Sequence, residues 1–351
     1  MPSTQILVTI GPASRARLAE LVKAGISGIR LNSSHGDFGE HAEIISGIRR
    51  ESGKIFVVYD IKGPKIRLGD LPDPLPLKAG MKLILLSGEI PEKTDSLPGE
   101  TLRHVIPVGF DRFHEFVRPG HRLLIDDGLI GLKVTAVQGR DISAEVLYGD
   151  VLRSRKGINH PDTVIDFPYT AQTDIPGIEF AIKENVDFIA DSFVRNADDV
   201  EELRGRLLGT AIRIISKIEN PEGVNNFDGI LEKTDAVMIA RGDLGVEFEP
   251  WEIPEIQKTI IEKCGRAGKP VITATQLLES MLDNPRPSRS DVSDIANTIY
   301  DGTDLLMLSG ETSVGKYPVL AVDTMRKIIE TTEAADRFKK KKKIFCPLFH
   351  L

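Results

Sequence analysis

The sequence predicts an α/β fold, a (β/α)8 TIM barrel with a small all-β domain inserted after the third strand. Three observations lead there. Short apolar runs rich in Ile and Val alternate with longer segments of helical period, the signature of parallel βα units. There are eight such runs, and some 126 residues, most of them of different texture, part the third from the fourth. A barrel usually takes ~250 residues, so barrel and insert together account for nearly all of the 351 positions. An open doubly wound sheet is the alternative, but it does not predict polar motifs at the ends of so many strands.

In chain order the expected strands are Gln5–Ile10, Gly28–Asn32, Lys54–Asp60, Asp187–Val194, Ala211–Ile218, Ala236–Ala240, Pro270–Ala274 and Asp304–Leu308. Helical periods follow at Ser14–Lys23, Phe38–Glu51, Ala197–Leu208, Pro221–Glu232, Pro254–Arg266, Ser288–Tyr300 and Pro318–Glu333. Gly25, Gly53 and Gly268 stand where a left-handed helix cap is needed. Between Leu68 and Gly157 the texture becomes short alternating runs, such as Lys82–Leu86, Arg122–Ile125, Gly131–Val137 and Ile142–Leu147, set apart by Pro, Gly and Asp. They predict a small antiparallel β-barrel domain. The expected division is therefore barrel 1–67, insert 68–157, barrel 158–336 and a basic tail 337–351.

Lys and Arg total 45 against 52 Asp and Glu, a net charge of −7. Arg337 and the five Lys at 339–343 contribute six of the positive charges, so the rest of the chain carries −13. So acidic a body has no general affinity for nucleic acid or an anionic membrane, and an anionic substrate must be met by a local basic cluster. Two cysteines, Cys264 and Cys346, form no disulfide framework and point to a reducing, cytoplasmic compartment. The N-terminus lacks the basic and apolar regions of a signal peptide, and no apolar stretch is long enough to span a bilayer. The histidines show no zinc-ligand spacing.

In a barrel, functional groups gather at the C-terminal ends of the strands. Six strand ends carry such groups here: Arg30-Leu-Asn-Ser-Ser-His-Gly36, Asp60-Ile-Lys-Gly-Pro-Lys-Ile-Arg67, Ser216-Lys-Ile-Glu-Asn220, Ala240-Arg-Gly-Asp-Leu-Gly245, Thr273-Ala-Thr-Gln276 and Ser309-Gly-Glu-Thr312. Lys217 and Glu219 lie two apart on one side of their strand, as either a solvent-facing ion pair or part of a cation site. Glu219 and Asp243 could give two carboxylates to one Mg²⁺ and leave positions for substrate oxygens. Gly242 allows an anion close to backbone N–H groups. Arg30, Lys62, Arg67 and Lys217 are the candidate basic cluster for a phosphorylated substrate. Gly310-Glu-Thr-Ser-Val-Gly-Lys316 imitates a phosphate loop, but Tyr317 and Pro318 follow where Ser or Thr is required. It reads as a barrel loop with modest contact to the active face.

These strings, with Val8-Thr-Ile-Gly-Pro-Ala-Ser14, Ile125-Asp-Asp-Gly-Leu-Ile130, Ser154-Arg-Lys-Gly-Ile-Asn159, Ala274-Thr-Gln-x-Leu-Glu-Ser-Met281 and Met307-Leu-Ser-Gly-Glu-Thr312, run in the order found in pyruvate kinases. The chain resembles that family from residue 4 to about 333. The resemblance implies phosphoryl transfer from phosphoenolpyruvate to ADP, with catalytic Lys217, Arg30 and Thr275. It implies that Arg30 and Lys217 hold the phosphoryl group and that Glu219 and Asp243 hold Mg²⁺ or Mn²⁺. Gly242, Asp243 and Thr275 receive the substrate carboxylate, and Thr275 lies on the proton route. Asn32, Ser34, His35, Arg67 and Lys156 match nucleotide contacts, and the insert corresponds to a lid. The competing readings are a catalytically impaired barrel and a metal-dependent phosphoenolpyruvate or pyruvate aldolase or lyase.

Two departures follow from the same resemblance. The family's K⁺ site matches Asn32, Ser34, Asp60 and Ile61, where Thr is usual in place of Ile61. Lys65 stands where K⁺-dependent members commonly have Glu. An ammonium there could replace the ion, so activity without added K⁺ is expected; the alternative is a Lys65 that points to solvent. The usual C-terminal regulatory domain is also not expected, and a homo-oligomer built through the barrel is.

Overall fold

The computed structural model describes residues 3–88, 105–165 and 174–335. The Lys run at 339–343, Cys346 and the rest of the expected basic tail lie outside the described residues. Eight parallel strands close into a barrel in sequence order: β1 (Gln5–Thr9), β2 (Gly28–Asn32), β3 (Phe56–Asp60), β4 (Phe188–Asp191), β5 (Arg213–Ile218), β6 (Ala236–Ala240), β7 (Val271–Ala274) and β8 (Leu305–Leu308). Closure comes from β8 against β1, with Leu7 opposite Met307 and Val8 opposite Leu308. The chain chooses this arrangement because its strands are apolar on both sides: β3, β4, β6, β7 and β8 are buried at every position, which suits a parallel sheet covered by helices.

Side chains two apart along a strand share a face, and this period builds the interior. Phe56 and Val58, Phe188 and Ala190, Ala236 and Met238, Ile272 and Ala274, and Leu305 and Met307 form one buried cluster with Leu7 and Ile215. Continued upward, the same rows reach Asp60 on β3, Ser192 after β4, Lys217 on β5 and Glu219 just beyond it. The packed core thus ends in a polar cap at the C-terminal ends of the strands.

Several elements differ from expectation. The segment 14–23 opens with a 3-10 turn, Arg15–Arg17, before the helix Leu18–Ala24. The segment 221–232 breaks into Pro221–Asn225 and Phe227–Lys233, since Asn226 turns its side chain to the Arg195 carbonyl at 2.9 Å. Helix Ile175–Lys183, which precedes β4 rather than following a strand, was not expected. Its Phe180 stacks on Phe38 at 4.9 Å, so an almost wholly apolar helix hides the period that would reveal it. Gly25 and Gly268 are left-handed caps at φ 97° and 66°. Gly53 is not, because helix Phe38–Glu51 ends one residue earlier at an extended Ser52.

Two compact units are defined: the described residues within 1–63, 169–244 and 250–351, and those within 64–168 with 245–249. The second has its own core, including Leu83, Leu85, Ile106, Phe113, Leu123, Ile125, Leu132 and Ile142. Its six-stranded sheet runs Ile158–Asn159, Arg122–Ile125, Ile130–Gln138, Asp141–Tyr148, Lys82–Ser87, Val105–Val108. The last two pair in parallel, against the antiparallel expectation. Segment 66–69 bonds to both edges: Ile66 accepts from Ile158 at 2.9 Å, Leu68 donates to Lys156 at 2.8 Å, and Gly69 donates to Pro107 at 2.8 Å. Both exposed edges are thereby removed. Among the described residues no helix is long and apolar enough to cross a membrane.

Gly28 packs closely in the barrel wall, for a Cβ there would lie 2.2 Å from the buried Phe56 ring. Gly28→Ala is expected to destabilise the fold by about 1–3 kcal/mol through overpacking. Denaturant unfolding measures it, and adding Phe56→Leu should recover part of the loss.

Candidate active site

The cap is organised around Asp60, which ends β3 and is 2% exposed. Its Oδ2 accepts from Arg30 Nε at 2.6 Å, and its Oδ1 accepts from Lys217 Nζ at 3.2 Å and from the Ser192 hydroxyl at 3.1 Å. Lys217 has three donors, and three acceptors meet them: Asp60, the Ser192 oxygen at 2.7 Å and Glu219 Oε1 at 3.1 Å. The other Glu219 oxygen accepts from the Phe193 N–H at 2.8 Å. Lys217 and Glu219 are 7% and 1% exposed, which overturns the solvent-facing reading. Arg30 also reaches the Thr9 hydroxyl at 3.1 Å, so β1 to β5 all contribute.

Charge state follows from these neighbours. Burial by itself would raise the Asp60 carboxyl, but Arg30 and Lys217 outweigh it and hold it below its ordinary value. Burial would lower the Lys217 ammonium, but Asp60 and Glu219 prevail and hold it above its ordinary value. Glu219 is pushed up, first by burial and then, against the pull of Lys217, by the nearby Asp243 and Asp60. Crowded carboxylates with too little positive charge are the electrostatic condition for a cation. Among the described residues no group of three or more His, Cys, Asp or Glu could hold a metal ion. Glu219 and Asp243 fit a divalent ion that completes its shell with water and ligand oxygens.

Asp243 and Gly242 open helix Arg241–Glu247 directly after β6. Thr275 follows β7 at φ 68°, and Gln276 at φ 52°. Left-handed backbone at a β-branched residue is a true outlier, costs of order 1–3 kcal/mol, and clusters at functional sites. A Cβ on Gly242 would come within 3.6 Å of the Thr275 hydroxyl, so the structure brings these two together.

Asn32 and Asp60 pair in register across β2 and β3, and Asn32 Oδ1 accepts from the Ser34 N–H at 3.1 Å. The Ile61 carbonyl already accepts from Ser192 at 2.7 Å. Arg30, Asn32 and His35 line a cavity of about 440 Å³ with Thr9, Glu40, Ser309 and Ser313. The phosphate-loop imitation is a structural tie: Glu311 accepts from the Leu278 and Ser309 N–H groups at 3.0 and 2.8 Å, Thr312 donates to the Thr9 carbonyl at 2.8 Å, and Lys316 pairs with Asp283 at 2.8 Å.

Of the expected basic cluster, Arg30 and Lys217 meet on Asp60. The Lys62 amide donates to Asp174 at 3.0 Å. Arg67 and Lys156 belong to the second unit. There Arg67 donates to the Arg155 carbonyl at 3.3 Å, Lys156 pairs with Asp126 at 2.8 Å, and Lys65 pairs with Asp127 at 3.5 Å. The Lys65 side chain is 13% exposed, so it does not point freely to solvent. Ser192 was missed by sequence reasoning. The Asp191-Ser192 pair that closes an apolar run was the available signal, at the seventh strand end to carry polar groups.

An eight-stranded barrel with a buried charged array at the strand C-termini is the architecture of an α/β-barrel enzyme. The chain matches the family model "Pyruvate kinase, barrel domain" over residues 1–322. It is 46% identical over 352 residues to pyruvate kinase of Bacillus licheniformis, covering 97% of this chain and 59% of the relative. It is 46% identical to that of Geobacillus stearothermophilus, covering 95% and 57%, and 42% identical to that of Clostridium acetobutylicum, covering 95% and 71%. The chain belongs to the pyruvate kinase family. It spans about three fifths of the length of the Bacillus and Geobacillus relatives.

Asp60→Asn removes the anion that Arg30 and Lys217 share, and is expected to cost about 3–5 kcal/mol of stability. Because the folded Asp60 titrates below its unfolded value, its contribution is present above the ordinary carboxylate range and is lost as pH falls through the folded value. Denaturant unfolding from pH 7 downward should show a smaller acid decline in the variant than in the parent.

Proposed function

We propose that the chain transfers the phosphoryl group of phosphoenolpyruvate to ADP, giving ATP and an enolpyruvate that is then protonated to pyruvate. The observation that carries this reading is the buried Arg30–Asp60–Lys217–Glu219 array at the barrel rim. Phosphoryl transfer asks little covalent work of a protein and much positioning and charge stabilisation. Arg30 and Lys217, held side by side by one carboxylate, take the transferring group, and Lys217 neutralises its developing charge. A phosphoryl oxygen that reaches Lys217 takes a donor now held by Asp60, Ser192 or Glu219. Glu219 and Asp243 would hold Mg²⁺ or Mn²⁺, which supplies Lewis-acid neutralisation when bound. The backbone at Gly242 and Asp243 receives the carboxylate with Thr275, whose hydroxyl lies on the proton route to the enolate carbon.

The nucleotide is assigned to Asn32, Ser34 and His35, with the rim cavity as support; Arg67 and Lys156 are proposed as further contacts. Turnover is proposed to need no added K⁺. Asp60 is already shared by two cations, and the Ile61 carbonyl by a hydroxyl. A cytoplasmic location and a homo-oligomer formed through the barrel complete the reading, the latter open to sedimentation analysis.

A coupled assay of pyruvate formation, with ADP and with ADP omitted, tests the assignment. Turnover only with ADP supports it; pyruvate released without ADP indicates a lyase, and none in either case an impaired barrel. Lys217→Met should lower kcat by at least a hundredfold, and near-normal turnover would refute its role. With tetramethylammonium as the sole monovalent cation, activity should stay within a few-fold of that in K⁺; loss of nearly all of it contradicts K⁺ independence.

A further inference from the structure

We infer that Arg241 is a positioning residue that holds Thr275 in its reactive orientation, an inference that rests on the reading of Thr275 given above. Arg241 is the first residue beyond β6 and is 8% exposed. Its guanidinium is turned toward the exit of β7. Nε and Nη2 donate to the Thr275 carbonyl at 3.2 and 2.8 Å, and Nη2 donates to the Gln276 carbonyl at 2.9 Å. Both acceptors belong to consecutive non-glycine residues with left-handed backbone, at φ 68° and 52°. That conformation brings two successive carbonyls to one planar donor, and a buried guanidinium is the group best suited to satisfy them both.

The clamp is itself anchored. Nη1 donates to Asp294 at 2.8 Å and to Gln257 Oε1 at 3.3 Å. The amide of Gln257 continues to the Thr298 hydroxyl at 3.2 Å. These partners stand on helices Ile253–Ala267 and Arg289–Asp301, so the loop after β7 is braced against the outer ring of the barrel. The guanidinium is thus committed to the protein rather than to an anion. Its action on the Thr275 hydroxyl, which itself donates to the Ala274 carbonyl at 2.6 Å, is through the backbone.

Arg241→Met, Arg241→Lys and Asp294→Asn in the full chain test the inference by hydrogen exchange and kinetics together. In Arg241→Met, amides of 275–281 should exchange at least tenfold faster while the barrel strands keep parental rates. Arg241→Lys, which reaches fewer carbonyls, and Asp294→Asn, which loosens only the anchor, should show smaller increases. Pyruvate formation should lose at least tenfold in kcat in Arg241→Met with KM for ADP within twofold. Made in a Thr275→Ala background, the same change should cost less than threefold further. Unchanged exchange in 275–281, an equal rise across the whole barrel, or a full repeated loss in the Thr275→Ala background would each overturn the inference. A parent chain that forms no pyruvate would instead overturn the assigned function, and exchange would still decide the clamp.

Discussion

One buried carboxylate sets the terms of the rim. Arg30 and Lys217 repel each other, and bringing both into a site largely removed from water is costly without an anion between them. Asp60 is that anion, with one oxygen toward each cation. Its position follows from the two-residue period of β3, which turns Phe56, Val58 and Asp60 to one side. The apolar members of the row fill the barrel, and the last member carries the charge. Exclusion of water below makes each ionic contact above stronger than it would be at an open surface.

The same construction recurs on neighbouring strands. Ile215 is core, and Lys217 and Glu219 continue its row. Phe188 and Ala190 are core, and Ser192 continues theirs. Close approach lets the rows converge: at Gly63, φ +67°, a Cβ would lie 2.5 Å from the Ser192 carbonyl oxygen. The strained pair Thr275 and Gln276 is carried by the stable frame around it, with Arg241 meeting the carbonyls that this backbone turns inward. Strain retained beside Gly242 and Asp243 is consistent with a loop shaped for chemistry rather than for minimum energy.

Much of this was legible in the chain. Eight apolar runs, their order and the polar motifs that follow them define a barrel and its working face, because a parallel strand buried on both sides has a composition unlike any other element. Lys217, Glu219 and Asp243 could be singled out from spacing and residue type. The hub was less accessible: Asp60 was noticed as a cation ligand, but its bonds to Arg30 and Lys217 join residues 30 and 157 positions away, and no local pattern reports such a contact. Ser192 escaped because the expected strand ran through it to Val194, where polar residues near a strand end are ordinary. Arg241 lay in full view within a motif, yet its partners at 257, 275, 276 and 294 become neighbours only when three barrel units pack. Helix Ile175–Lys183 was missed because it is apolar in sequence except for Glu179 and Lys183, although only Gly177, Ile178, Phe180 and Ala181 are buried, and the parallel pair in the insert because alternation does not encode strand direction.

The central claim is that Asp60 acts by holding Arg30 and Lys217 as one phosphoryl-binding unit. The most direct measurement is a double-mutant cycle of Asp60→Asn and Lys217→Met on kcat/KM for phosphoenolpyruvate. If Asp60 works through Lys217, the Lys217 change should cost at least tenfold less once Asp60 has been replaced. Fully independent losses, multiplying in the double variant, would contradict the account.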